Sequence, residues 1–380
     1  MTKTQLWHFG NSGISFLEML LKRDNPKKIF LVTGKLSYKN SGAESCLSEI
    51  LHDIAFVRFS DFEENPKIEH VEKGIELFLN SECDYMIAVG GGSVIDMAKL
   101  INIGQAQKST FYDLVYNPSN IIQSGKKLIA IPTTSGTGSE ATHFAVIYVD
   151  GKKYSMAHLD YILPDVAIII PSFTYSLSPI QTAISGLDAF SQAIEGYWSI
   201  NSTTEAKRYA AQSIKLILQA LPIVVKNSEE KAREEMSLAA FLAGKAINIS
   251  KTTGPHAMSY ALTSIFGIPH GHAVALSLGE WYEFNSNVTI DDCMDPRGVD
   301  YVQKTFLKLN NLLGSKTSYD SKVKIKRLVK MLGLETKLSR LNISKKDLEL
   351  INVNINIERL NNNPRNINNE ELREIIIKLF

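Results

Sequence analysis

Apolar residues in the first 175 positions fall into short dense runs, and between the runs they recur every three or four residues. Runs at 28–33, 55–59, 85–89, 128–131 and 166–170 have strand length and predict a parallel sheet. After Pro66, the residues Ile68, Val71, Ile75, Phe78 and Leu79 keep the spacing of an amphipathic crossover helix. Beyond about Ser178 the strand runs fade, and helical periodicity takes over at 186–198, 203–225, 229–248 and in several segments after Val299. The pattern predicts an α/β N-terminal domain over 1–175 and an all-α C-terminal domain over 176–380, with the boundary between Pro171 and Pro179. The Asn-rich tract 352–369 follows neither period and is expected to be a polar surface loop.

Composition narrows the class. A chain of 380 residues with 44% hydrophobic content suffices for two cored domains. Its 41 basic and 40 acidic residues leave a formal net charge of +1, so no global field points to nucleic acid or a membrane surface. Any selectivity for anions must be local. Cys46, Cys83 and Cys293 are odd in number and widely spaced, which fits reduced thiols of a cytoplasmic protein rather than a disulfide framework. Residues 1–10 carry no basic-then-apolar leader, and no apolar run approaches the roughly 20 residues that span a bilayer.

Candidate chemistry lies in the second half. Asp188 and Gln192 are four residues apart in a helical segment, so they project from one face. His256 and His270 bring two imidazoles from a second helix and the turn after it. One carboxylate, one amide oxygen and two imidazoles form an oxygen and nitrogen ligand set for a first-row divalent ion, Fe(II) or Zn(II). The absence of a thiolate argues against a closed structural zinc site. In the first half, the run at 85–89 leads into Gly90-Gly91-Gly92-Ser93 and then a helical stretch. Glycines there let backbone approach a pyrophosphate, and a helix N-terminus favours its charge. The polar loop Pro132 to Glu140 follows the next strand, where open α/β sheets bind ligands.

These segments carry a resemblance. GLDAFSQAIEGY, PHAMSYAL, IPHGHAVAL, GGGSVIDMAK and PTTSGTGSE together resemble the iron-containing (group III) alcohol dehydrogenases along nearly the whole chain. The resemblance implies a dehydroquinate synthase-like fold, with a dinucleotide-binding α/β domain followed by a helical metal-binding domain. It implies metal ligands at Asp188, His256 and His270. The family usually has a second-ligand His where this chain has Gln192, an amide that weakens affinity for late first-row ions or favours a harder one. Cofactor contacts are implied for Gly91, Gly92, Ser93, Asp96, Thr133, Thr134, Thr137 and Lys153, with Lys99 on the same side of the helix as Asp96 or in solvent. Family members that prefer NAD commonly carry Asp at the position of Gly34, so its absence, with Lys35 and Ser37 nearby, favours NADPH over NADH.

The implied reaction is reduction of an aldehyde by NADPH or NADH beside a metal. Tyr260 stands where many relatives have a second His and is the expected proton donor, with aromatic packing as its alternative role. The segment 245–254, with Lys251 at its polar end, suits a tetrahedral oxyanion, and His143 and Phe144 are expected pocket residues. Several of these segments resemble the phosphonoacetaldehyde reductase branch, which makes 2-hydroxyethylphosphonate. Sulfoacetaldehyde, succinic semialdehyde and lactaldehyde stay open as substrates, as do a dehydroquinate-synthase-like lyase and a non-catalytic nucleotide-binding relative. A homodimer or higher homo-oligomer is expected, with a small anionic aldehyde or alcohol as ligand and neither nucleic acid nor membrane as partner.

Overall fold

A computed structural model describes residues 4–380. Contacts divide the chain into two compact units, one ending at Leu177 and the other spanning Ser178–Phe380. Among its described residues the first holds eight strands: β1 (Leu6–Phe9), β2 (Lys28–Thr33), β3 (Ala55–Phe59), β4 (Tyr85–Gly90), β5 (Lys127–Pro132), β6 (Phe144–Val149), β7 (Lys152–Ala157) and β8 (Val166–Ile169). Six of them form a parallel sheet in the order β1-β8-β5-β4-β2-β3, and β6 pairs with β7 as an antiparallel hairpin. Its helices are α1 (Gly13–Asp24), α2 (Ser37–Asn40), α3 (Ala43–Ile50), α4 (Ile68–Asn80), α5 (Gly92–Gly104) and α6 (Phe111–Tyr116).

Alternation along the central strands explains why the sheet is covered on both faces. Phe30 and Val32 of β2, Met86 and Ala88 of β4, and Leu128 and Ala130 of β5 enter one core with residues of α4, α5 and α6. Their neighbours Ile29 and Leu31, Ile87 and Val89, Ile129 and Ile131 enter a second core with α1 and α3. The apolar runs therefore mark real strands, while β1, β6 and β7 lie outside them. β1 is a four-residue edge strand, and β6 alternates half-buried with buried residues before the Asp150-Gly151 turn. Such a hairpin has no dense apolar run to announce it.

The second unit is helical: α7 (Pro179–Trp198), α8 (Thr204–Asn227), α9 (Glu230–Ser250), α10 (Gly254–Phe266), α11 (His270–Ser286), α12 (Val299–Leu312), α13 (Ser318–Met331), α14 (Leu348–Val353), α15 (Ile357–Leu360) and α16 (Asn369–Ile377). One continuous apolar core runs through it. Ser178 caps α7 by accepting from the Gln181 N–H, and Pro179 occupies the first turn where no backbone donor is needed.

The Asn-rich tract is not a solvated loop. Asn352, Asn362 and Asn363 are buried, and the Nδ2 of each donates to another Asn side chain or to a backbone carbonyl. Asn363 exchanges amide hydrogen bonds with Asn285 at 2.6 and 2.9 Å, and Asn362 Nδ2 donates to the Thr252 carbonyl at 2.9 Å. The Asn356 N–H donates to the Ala257 carbonyl of α10 at 3.2 Å, so the tract braces the start of that helix. The three cysteines are free thiols. Among the described residues, no helix is long and apolar enough to cross a membrane.

Candidate metal and cofactor sites

The helical unit gathers Asp188, His256 and His270. Asp188 sits in the middle of α7, His256 in the first turn of α10, and His270 opens α11. Their ligand atoms all lie within 4.8 Å of one another. His256 Nε2 stands 3.4 Å and His270 Nε2 3.9 Å from Asp188 Oδ1. Donors about 2.1 Å from a tetrahedral ion are roughly 3.4 Å apart, so this spacing fits one ion. Asp188 Oδ1 and His256 Nε2 are both buried without a hydrogen-bond partner, a costly state that a cation between them would relieve. Gln192 is buried one turn after Asp188, and its side chain hydrogen-bonds that carboxylate.

Backbone fit makes this meeting possible. A Cβ on Gly271 would stand 2.1 Å from the Ile184 carbonyl oxygen and 3.0 Å from Asp188 Cβ, so only glycine lets α11 come this close to α7. The glycine of the Pro-His-Gly-His segment thus positions His270 without binding anything. His272 faces elsewhere, with its Nε2 2.7 Å from the Glu335 carbonyl.

Glu195 orients His256, and the sequence reading did not single it out. It is fully buried on α7, and Oε2 is hydrogen-bonded to His256 Nδ1. Its Oε1 accepts from the Thr253 N–H at 2.8 Å, the Thr253 hydroxyl at 3.0 Å and the His256 N–H at 3.3 Å. Trp198 Nε1 in turn donates to Thr253 Oγ1 at 2.8 Å. With Nδ1 held by a carboxylate, the Nε2 lone pair is presented to an ion. The signal was available: Asp188, Gln192 and Glu195 stand at i, i+4 and i+7 on one helix face.

Electrostatics agree that the pocket seeks positive charge. Burial alone would lift the Asp188 carboxyl, yet the His270 and His256 imidazoles and the Gln192 amide hold it below the usual range. Burial likewise pulls His256 down, but Glu195 and Asp188 on its two sides raise its pKa to about 9. Two further candidates lie nearby in sequence. Tyr260 is half-buried one helical turn after His256, whereas Lys251 is exposed, with a left-handed φ of 61° where α9 ends.

In the α/β unit the candidate cofactor residues converge from two loops. Gly91 is the N-cap of α5 and Gly92 its first residue, directly after β4. The Thr133 N–H donates to the Gly90 carbonyl at 3.0 Å, and a Cβ on Gly92 would stand 2.7 Å from Thr137 Cγ2. A Cβ on Gly91 would lie 3.2 Å from Thr134 Cγ2, so the glycine turn and the threonine loop share one surface at the C-terminal ends of β4 and β5. Ser93 Oγ accepts from the Asn65 N–H at 3.2 Å. Gly34 directly follows β2, and its neighbour Thr33 is in register with Val89 of β4, next to the glycine turn.

Asp96 and Lys99 play a more internal part than a solvated helix face would give them. Lys99 is buried and donates to Ser139 Oγ at 3.0 Å, Thr142 Oγ1 at 3.2 Å and the Phe144 carbonyl at 2.9 Å. Burial lowers its pKa to about 8 against the pull of Asp96 and Glu140. Asp96 accepts from Ser139 Oγ and from the Val146 N–H at 2.9 Å, with Lys153 among the charges that stabilise it. These groups tie α5 to the loop that follows β5 and to the start of β6. His143 is buried at the entry to β6, and its carbonyl accepts from the His158 N–H at 3.0 Å.

Comparison with known proteins gives one family for both units. Residues 5–171 match the family model described as iron-containing alcohol dehydrogenase, and residues 182–380 match its Fe-containing C-terminal counterpart. The NADPH-dependent butanol dehydrogenase of Clostridium saccharobutylicum is 31% identical over 93% of this chain and 92% of its own. The phosphonoacetaldehyde reductase of Streptomyces viridochromogenes is 31% identical over 77% of this chain and 75% of its own. The sulfoacetaldehyde reductase of Bifidobacterium kashiwanohense, solved in complex with NAD+, superposes with a TM-score of 0.87 at 29% identity over 100% of this chain and 97% of that one. The chain therefore belongs to the iron-containing alcohol dehydrogenase family, as an oxidoreductase of CH–OH groups that uses NAD(P) and a divalent metal.

Proposed function

We propose that the protein reduces a short aldehyde carrying a tetrahedral oxyanion, phosphonoacetaldehyde first and sulfoacetaldehyde second, at the expense of NADPH. The observation that carries the reductase reading is the buried pair Asp188 Oδ1 and His256 Nε2, left unpartnered beside His270. The substrate class is supported by two relatives named for two-carbon anionic aldehydes, one phosphonate and one sulfonate. When bound, the ion supplies Lewis-acid polarisation of a carbonyl oxygen and the reduced nicotinamide supplies a hydride.

The chain supplies position and protons. Asp188, His256 and His270 hold the ion, with Gln192 as the fourth side chain at their edge, and two imidazoles with one carboxylate suit Fe(II) as well as Zn(II). Glu195 keeps His256 in the tautomer that leaves Nε2 free to coordinate. Tyr260 returns a proton from its hydroxyl to the product oxygen. Lys251 attracts the oxyanion of the substrate. Gly91, Gly92, Ser93 and the hydroxyls of Thr133, Thr134 and Thr137 receive the dinucleotide, and Gly34 leaves room for a 2′-phosphate that an acidic side chain would repel.

A screen of NADPH oxidation against anionic and neutral aldehydes, after loading with Fe(II) or Zn(II), tests this reading. The anionic aldehydes should lead in kcat/KM, and Lys251→Ala should cost them roughly tenfold to a hundredfold while sparing propanal. Neutral aldehydes preferred by the unaltered protein would overturn the substrate class.

A further inference from the structure

The geometry points to Arg58 as the residue that recognises the 2′-phosphate of NADP, an assignment that rests on the NADPH reading above. Arg58 is the penultimate residue of β3, the sheet neighbour of β2, so its side chain leaves the strand near the C-terminal ends, where open parallel sheets take their ligands. The guanidinium is held in place rather than loose. Nε donates to Thr33 Oγ1 at 2.8 Å, one Nη donates to the Gly34 carbonyl at 3.3 Å, and the group lies 4.9 Å from the centre of the Tyr38 ring. It thus brackets Gly34, the position at which a carboxylate would mark an NAD enzyme.

Lys35 and Ser37 were the donors suggested by sequence, but Lys35 Nζ is turned to Asp61 at 2.9 Å, with both side chains largely in solvent. Arg58 is the better-placed cation. Its five N–H donors are incompletely used by Thr33, Gly34 and Glu44, and a planar fork suits phosphate oxygens in pairs. Glu44, in the first turn of α3, stands 3.3 Å from Arg58 Nη1 and competes for the same guanidinium. That carboxylate sets a specific expectation. It should weaken NADP binding through repulsion and be released from Arg58 when the phosphate arrives.

Calorimetric titration of the full chain with NADP+ and NAD+, and with 2′,5′-ADP and 5′-AMP, separates the possibilities. The unaltered protein should prefer the phosphorylated member of each pair, and a preference for NAD+ would overturn the NADPH reading itself. Given that preference, Arg58→Leu should weaken NADP+ and 2′,5′-ADP on the order of tenfold to a hundredfold and leave NAD+ and 5′-AMP nearly unchanged. Equal loss for both members would make Arg58 a structural residue and overturn the assignment, as would no loss for either. Glu44→Gln keeps the shape of the site and guards against a folding defect in the first variant. It should tighten NADP+ severalfold without moving NAD+, whereas weaker NAD+ binding with unchanged NADP+ would identify Glu44 as a ribose acceptor and reject Arg58.

Discussion

Glu195 shows how much of a candidate metal site lies behind its candidate ligands. Four hydrogen bonds converge on one buried carboxylate, and each fixes part of the 253–256 segment that delivers His256. Replacing it by Gln preserves volume but leaves one accepting oxygen where the carboxylate has two, so either the His256 Nδ1–H or the donors of Thr253 and the His256 backbone face an NH2 group instead of an acceptor. Loss of such a partner typically costs tenfold to a hundredfold in metal affinity. Glu195→Gln should therefore weaken Zn(II) binding in equilibrium dialysis by about that factor, with helical content by circular dichroism unchanged. Undiminished affinity would show that packing alone orients His256. The candidate ligands Asp188, His256 and His270 were legible because they stand in recognisable phrases, whereas Glu195 offered only its place on the helix face of Asp188 and Gln192, which does not separate a buried carboxylate from a solvated one. Lys99 was misleading in the same way: nothing in a helical sequence distinguishes a lysine in solvent from one whose ammonium is used up by Ser139, Thr142 and the Phe144 carbonyl.

Elements were easiest to read where their apolar period was strongest. β2, β4 and β5 are buried almost throughout and α7 carries a long apolar stretch, so both were legible from pattern. The Asn-rich tract was not, because its buried amides pair with other Asn side chains, Asn352 with Asn369 and Asn363 with Asn285 of α11, and composition does not encode that pairing. A different polar device joins elements at the opposite end of the sheet. Asp24, the last residue of α1, accepts from Arg23 Nε at 2.8 Å, from Lys127 Nζ at the start of β5 at 2.6 Å and from the Tyr85 hydroxyl at the start of β4 at 2.8 Å. Burial would raise its pKa, but these three donors lower it to about 2. A carboxyl depressed in the folded state stabilises above its ordinary pKa and loses that contribution as pH falls toward its folded value. Asp24→Asn should accordingly cost about 2 kcal/mol at pH 7 in denaturant titrations, and the difference from the unaltered protein should shrink between about pH 4 and pH 2. A deficit that is independent of pH would assign the effect to packing instead of charge.

At the scale of the whole molecule, the candidate metal ligands all fall in the helical unit and the glycine turn and threonine loop all fall in the α/β unit. Each ligand should then stabilise the unit that binds it, by an amount set only by its concentration relative to its dissociation constant. At a hundredfold excess over that constant, the stabilisation is about 2.7 kcal/mol for either ligand. Zn(II) and NADPH should therefore each raise the thermal unfolding midpoint of the metal-free protein. His270→Ala removes one of three donors that lie within 4.8 Å of each other, and its side chain is partly exposed, so the fold should tolerate the change. In that variant the metal-induced rise should vanish and the NADPH-induced rise should remain. Hydrogen exchange locates the effects: metal should protect amides of α7, α10 and α11, and NADPH those around residues 90–95 and 133–139. Metal protection surviving in His270→Ala would mean that the ion is held elsewhere, and loss of both rises together would mean that His270 supports the fold rather than the ion.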